Sequence, residues 1–324
     1  MNKNFWKDKN VLITGHEGFL GSNLTKILIS ADANIVGLDI DVRRENTLFS
    51  KEDYKKIVTI KGSVADYNLV KKIISKYKID VVFHLGAEAI VGKCIKNPLL
   101  TFSSNIEGTW NVLEVCRNSK TVKSIVTASS DKAYGSHKIL PYKEDASLHG
   151  DHPYDVSKSC ADLIAYTYFH TYGLPVAITR CGNIYGPGDF NFSRIVPDTV
   201  RCMLANKPIE IRSDGKFTRD YVFVEDIANG YILLAEKLNV LKLGGEAFNF
   251  SDENPITVIE LVKKLYQLDG KKPNYKILNQ AKYEIKHQYL ASQKARKILK
   301  WKPEFTLETG LKKAIDWYTK YLNK

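Results

Sequence analysis

Short apolar runs alternate with stretches of helical spacing through the first 180 residues, and no other feature limits the fold as tightly. Residues 10–14 (NVLIT), 34–39 (NIVGLD), 58–61 (VTIK), 80–85 (DVVFHL), 124–129 (SIVTAS) and 175–180 (PVAITR) have the length and β-branched content of buried strands. Residues 20–30, 68–78, 101–119 and 154–172 repeat apolar positions with a helical period. Strands that are apolar on both faces need cover on both faces, and short links between strand and helix make βαβ units. The pattern predicts an α/β fold, a doubly wound parallel sheet of the Rossmann type.

After Cys181 the pattern loosens. Residues 182–189 (GNIYGPGD) are rich in Gly and Pro, and the later elements are shorter. The expected division is a cofactor-binding region over 1–180 and a smaller substrate-binding region over 181–324. It is not a clean separation, because residues 220–224 (DYVFV) and 246–250 (EAFNF) read as strands that return to the main sheet.

The chain's 324 residues, 44% of them hydrophobic, suffice for one large core and a smaller one. The formal charge of +12 raises nucleic acid as a partner. From Lys242 onward there are 17 Lys and Arg against 9 Asp and Glu, but they are scattered in pairs such as Lys263-Lys264 and Lys312-Lys313. That spacing reads as solvated helix faces, whose field suits a substrate carrying a diphosphate; no nucleic-acid partner is expected. Five cysteines without a CxxC pair or Cys/His ligand spacing predict free thiols, a reducing compartment and no metal. No apolar stretch has the length of a membrane span, so a cytoplasmic location is expected.

Three motifs carry chemistry. Gly15-His16-Glu17-Gly18-Phe19-Leu20-Gly21 follows the first strand and opens a helix. Glycines there permit a tight turn and let backbone N–H groups approach a pyrophosphate at a helix N-terminus. The second strand ends on Asp39, placed to bond an adenosine ribose, which favours NAD; Arg43 and Arg44 nearby keep NADP open. In Tyr154-Asp155-Val156-Ser157-Lys158 the phenol and amine share one helix face, and a nearby ammonium lowers a phenol's pKa toward use as a base. Ser129-Ser130-Asp131-Lys132-Ala133-Tyr134-Gly135 lies at the carboxyl end of the fifth strand, where ligands of such sheets sit. Each motif has a plainer reading. A glycine turn is common, a Tyr–Lys spacing recurs by chance among 18 tyrosines, and the third segment could be a polar turn. His84, at the end of a strand, reads as a core histidine, while His149 and His152 read as loop structure.

Together these motifs resemble the extended short-chain dehydrogenase/reductase superfamily, in its nucleotide-sugar epimerase and dehydratase branch. The resemblance extends over almost the whole chain. It includes His84-Leu85-Gly86-Ala87, Asn105-Ile106-Glu107-Gly108-Thr109, Arg180-Cys181-Gly182-Asn183-Ile184-Tyr185-Gly186-Pro187, Arg219-Asp220-Tyr221-Val222-Phe223-Val224-Glu225-Asp226 and residues 292–301. Within the branch, Asp131-Lys132 is similar to the CDP-glucose 4,6-dehydratase type. The resemblance implies that Ser130 bonds the sugar's C4 hydroxyl, that Tyr154 removes its proton, and that Lys158 holds the nicotinamide ribose. It implies cofactor contacts at Gly15, Gly18, Phe19, Leu20, Gly21, Asp39, Ser63, Val64 and Gly86; Ser63-Val64 stands where Asp-Ile or Asp-Val is usual, and Gly86 where alanine is. It implies substrate contacts at Asn183, Arg194 and Arg219, with Asn105 on the substrate side or orienting the catalytic helix. The implied activity is C4 oxidation by NAD, loss of water across C5–C6 with Asp131 as acid, and return of hydride to C6. If Lys132 is the C5 base, its ammonium must lose a proton; Glu88 and Tyr154 are other candidates. A 4-epimerase or 4-dehydrogenase would use Tyr154 without the acid–base pair, and a non-catalytic NAD-binding protein would need none of the catalytic set. The long helices over 101–119 and 154–172 imply a homodimer.

Overall fold

The computed structural model describes residues 1–281 and 285–323. Six parallel strands follow the predicted runs closely: β1 (Asn10–Thr14), β2 (Asn34–Asp39), β3 (Ile57–Lys61), β4 (Val81–His84), β5 (Ser124–Ala128) and β6 (Val176–Cys181). With the strand Ala247–Phe250 beside β6 they form one seven-stranded sheet, in the order β3, β2, β1, β4, β5, β6, Ala247–Phe250. Strand order reverses between β1 and β4, the switch point outside whose strand carboxyl ends ligands of such sheets bind.

Helices cover both faces. On one side, residues of the helices Tyr67–Lys76, Gly108–Arg117 and Pro153–Tyr172, among them Val70, Ile73, Val112, Leu113 and Ala165, pack on Leu12, Val36, Val82 and Ile125. On the other, Leu24 and Leu28 of Phe19–Ile29 share a core with Ile227, Tyr231 and Leu234 of Val224–Lys237, and with Phe250 and Trp301. Much of the layer on that face of the cofactor sheet is therefore supplied from beyond residue 181. A third core, built on Tyr185, Val196, Val200, Ile209, Leu261 and Leu311, belongs to the C-terminal region alone.

Two expectations are corrected. The strand over 220–224 does not return to the main sheet: Tyr221–Phe223 pairs in parallel with Asn183–Tyr185 in a separate ribbon. The place beside β6 is taken by Ala247–Phe250, so the earlier strand starts the C-terminal region's own structure. The predicted helix over 101–119 is broken into Pro98–Phe102, a π-helical turn Ser103–Glu107, and Gly108–Arg117. A π turn carries an extra residue and often accompanies function; here it holds the buried Asn105. Gly108 follows because a Cβ there would sit 2.4 Å from Val64 Cγ2.

The catalytic-motif helix Pro153–Tyr172 is bounded by its own sequence. Proline stands in its first turn, and Gly173, at φ +66°, takes the left-handed C-cap.

Candidate active site

The glycine turn between β1 and Phe19–Ile29 is closed too tightly for side chains. Gly15 adopts φ +73°, and a Cβ on Gly21 would lie 2.1 Å from the Gly15 carbonyl oxygen. Gly18 is the N-cap and caps nothing with a side chain, which leaves the first N–H groups of the helix, from Phe19 and Leu20, without a side-chain cap and suited to an anion. A Cβ on Gly86 would meet the Thr14 hydroxyl at 3.1 Å and Val64 Cγ1 at 3.3 Å, so the usual alanine would need these neighbours to give by a few tenths of an ångström. The cradle thus fits a dinucleotide pyrophosphate.

Asp39 ends β2 as expected. Its Oδ2 accepts the Glu17 N–H at 3.0 Å, and its Oδ1 accepts from the Arg44 guanidinium at 2.9 Å. Val64 is buried against Gly86 and Gly108, whereas the Ser63 hydroxyl accepts the Ala65 N–H within its own turn. His16 points inward over Gly37, where a Cβ would be 2.2 Å from its ring, and is turned away from the phosphate cradle.

Behind the cradle runs a buried chain of hydrogen bonds whose directions can be assigned. Thr14 Oγ1 accepts N–H groups from Leu85 (3.1 Å) and Gly86 (3.0 Å), so its own hydrogen goes to His84 Nδ1 at 2.9 Å. His84 is then the Nε2–H tautomer and donates to Thr109 Oγ1 at 3.1 Å. Thr109 donates to the Asn105 carbonyl at 2.6 Å, Asn105 Nδ2 to Ser157 Oγ at 2.9 Å, and Ser157 to the Tyr154 carbonyl at 2.7 Å. Burial and the positive charge of Lys158 push the His84 pKa down to about 3, so the ring stays neutral. His84 is the core histidine the sequence indicates. The buried Asn105 also accepts the Glu88 N–H at its Oδ1 and donates from Nδ2 to the Glu88 carbonyl. Through Ser157 it braces the catalytic helix.

At the end of β5, Ser130 caps a short turn over Asp131–Tyr134. Its hydroxyl accepts the Lys132 N–H at 3.2 Å and donates to Asp131 Oδ1 at 3.0 Å. It is also in hydrogen-bonding reach of Tyr154, which in addition feels the charge of Asp131. Two bonds stitch this turn to the catalytic helix: Ser129 Oγ to the Lys158 carbonyl at 3.3 Å and Ser159 Oγ to the Ala133 carbonyl at 2.9 Å. Beneath it, Arg180 clamps Asp162 with two bonds of 2.7 and 2.8 Å and donates to the Tyr134 hydroxyl at 2.7 Å.

The electrostatics differ from the expectation at Tyr154. Burial is the dominant influence and raises the phenol above its ordinary pKa, against the smaller lowering by Ser130. Lys158 Nζ donates to the Ala128 carbonyl at 2.8 Å, and burial brings its pKa down to about 8. Asp131 is buried, and desolvation raises its carboxyl despite the opposing charges of Lys132 and Arg219. That is the behaviour required of a general acid.

The substrate-side residues are assembled from separate segments. Arg194 pairs with Asp189 at 3.2 Å and lies 5.8 Å from the Phe19 ring, at the mouth of the cradle. Arg219 is buried, bonded through Nη1 to the carbonyls of Thr218 and Lys286. Asn183 Nδ2 is buried without an acceptor among the described residues, a donor available to a ligand.

Sequence reasoning overlooks two participants. Glu17, inside the glycine turn, accepts from the Tyr54 hydroxyl at 3.0 Å and the Arg43 N–H at 2.9 Å, tying down the loop after β2. Gln288 accepts from Lys132 Nζ at 2.8 Å. An acid in a glycine turn is a visible signal, whereas Gln288 sits in an aperiodic stretch that gives none.

The family model described as GDP-mannose 4,6 dehydratase matches residues 12–314. A UDP-glucuronate 4-epimerase of Thermodesulfobacterium geofontis is 32% identical over 94% of this chain and 95% of its own length. A CDP-glucose 4,6-dehydratase of Salmonella typhimurium is 29% identical over 99% of this chain and 94% of its own. Among solved structures, the dTDP-glucose 4,6-dehydratase of Bacillus anthracis in complex with NAD superposes with a TM-score of 0.86 at 28% identity, covering 96% of this chain and 97% of that one.

Proposed function

The chain belongs to the GDP-mannose 4,6 dehydratase family, in the nucleotide-sugar dehydratase and epimerase branch of the extended short-chain dehydrogenases/reductases, and we propose that it is an NAD-dependent nucleotide-sugar 4,6-dehydratase. The observation that carries this reading is the pair Asp131 and Lys132, set on the same turn as Ser130, with the Asp131 charge acting on Tyr154. C4 oxidation needs only Ser130, Tyr154 and the cofactor; an acid and a base beside them serve elimination.

NAD held by the glycine cradle and Asp39 supplies the acceptor for the C4 hydrogen and its return at C6. The protein does the rest. Ser130 holds the C4 hydroxyl and Tyr154 takes its proton. Since burial raises this phenol, proton removal depends on positive charge nearby: Arg194 lowers it, and Lys158 stands one helical turn along. The resulting ketone acidifies C5–H. Lys132, as the free amine, removes that proton, and Asp131 protonates the departing O6 so that water leaves. Asn183, Arg194 and Arg219 bind the nucleotide diphosphate, with CDP-glucose as the first substrate to try.

A 4-epimerase is the second reading, favoured by the epimerase relative at 32% identity. Incubation with CDP-glucose, dTDP-glucose, UDP-glucose, UDP-glucuronate and GDP-mannose, followed by mass spectrometry, separates the two. A product lighter by one water supports the dehydratase; an isomer of unchanged mass supports the epimerase and overturns it.

A homodimer fits the exposed apolar residues Leu99, Leu100, Trp110, Leu163 and Tyr166, which lie on the helices Pro98–Phe102, Gly108–Arg117 and Pro153–Tyr172. The free cysteines and the nucleotide-sugar substrate suit the cytoplasm.

A further inference from the structure

Gln288 reaches the site from a segment without any catalytic motif. It belongs to the two-residue strand His287–Gln288, which pairs in parallel with Thr218–Arg219. Its side chain is buried, and its Oε1 accepts from Lys132 Nζ at 2.8 Å, 156 residues away in sequence. With the Lys132 amine donating to the amide oxygen, the Nε2 is turned away from it. That Nε2 is buried and has no acceptor among the described residues. An orphaned buried donor destabilises a fold, and methionine would fill the same space without one. Among the described residues the Gln288 side chain bonds Lys132.

We propose that Gln288 is a positioning residue for Lys132, its neutral carbonyl orienting the amine toward C5 without holding it in the protonated state. The proposal rests on the dehydratase reading above. A lysine that bonds Gln288 through one N–H keeps its lone pair on another side, free for the C5 hydrogen. A carboxylate in the same place would hold the lysine as an ammonium and silence it as a base. Among the described residues, the carboxyls that feel the Lys132 charge include Asp131 on its own turn and Asp155 on the catalytic helix, and Arg219 acts on Asp131 as well. Burial raises both carboxyls, which weakens their hold on a lysine cation. The glutamine completes this environment with an acceptor that carries no charge.

Gln288→Glu and Gln288→Met in the full chain test this. With a nucleotide-sugar that the unaltered protein dehydrates, C4 oxidation, read as reduced-nicotinamide absorbance in a single turnover, stays within about twofold in both variants. Exchange of the C5 hydrogen in deuterated water falls about tenfold or more at pH 7 in Gln288→Glu. It recovers as the pH is raised, because the free amine regains its population as the ammonium is titrated. In Gln288→Met it falls at every pH, in kcat more than in KM. Unaltered exchange and an unmoved pH profile in Gln288→Glu overturn the proposal. A second readout does not depend on turnover. In protein labelled with 13C at lysine Cε, with Lys132→Arg used for assignment, Lys132 remains protonated to higher pH in Gln288→Glu. If no nucleotide-sugar loses water, the dehydratase reading falls, while this titration still decides whether Gln288 governs Lys132. An unmoved Lys132 resonance overturns it.

Discussion

Lowering the pH from 7 to 5 should cost about 2 kcal/mol of stability through one side chain, His84. The ring is buried between Thr14 and Thr109, and its Nδ1 is an acceptor because both acceptor positions of the Thr14 hydroxyl are taken by backbone N–H groups. Protonation would set a ring N–H against a hydroxyl with no lone pair left, beside the charge of Lys158. Burial and that charge bring the pKa down to about 3, from an ordinary 6.5. Between these values the unfolded chain binds a proton that the folded chain refuses, so stability is complete above pH 6.5 and drains away as the pH falls toward 3. Each pH step of one in that window is worth about 1.4 kcal/mol, which gives roughly 2 kcal/mol at pH 5, a large share of a typical 5–15 kcal/mol. The assay is urea denaturation at pH 7 and pH 5 on the unaltered protein and on His84→Gln, whose amide can replace both bonds but cannot titrate. Other titrating groups are common to both proteins and cancel in the difference. The unaltered protein should lose about 2 kcal/mol more than the variant. Parallel losses would refute the tautomer assignment and the hydrogen-bond chain built on it.

Tyr154→Phe should abolish C4 oxidation, by at least about 10²-fold, while calorimetry shows NAD binding within about threefold, because the cradle is untouched. Lys132→Ala and Asp131→Asn should oxidise C4 but stall, so that reduced-nicotinamide absorbance accumulates in a single turnover, and C5 exchange should fall further in the lysine variant. Light scattering at micromolar concentration should give a dimer mass for the unaltered chain and a monomer for Leu163→Asp, which places a charge on the exposed apolar face of the catalytic helix.

Much of this molecule can be read from its sequence because it is periodic. Six strands and the helix Pro153–Tyr172 follow apolar spacing, which reports which faces are buried. The glycine turn is legible because φ +73° at Gly15 and the contact at Gly21 leave few other residues possible. Periodicity says nothing about neighbours, and so it cannot choose the sheet for residues 220–224: an apolar strand is equally content beside β6 or beside Asn183–Tyr185. Nor does residue spacing report dielectric. Tyr154 and Lys158 sit one turn apart as expected, yet desolvation outweighs their proximity and raises the phenol. Gln288 is invisible in the sequence because its role depends on a partner 156 residues away.

The position of Ala247–Phe250 at the sheet edge governs the order in which the nascent chain can mature. Until residue 250 leaves the ribosome, β6 presents an open row of backbone N–H and C=O groups, and until Trp301 follows, the layer that holds Tyr231 and Phe250 is incomplete. All the cofactor motifs, from Gly15 to Lys158, are synthesised long before the sheet that carries them is closed. A ribosome-stalled chain ending near residue 200 would therefore carry every motif and still lack a finished cofactor site, with an apolar face bare to the chaperones of the cell.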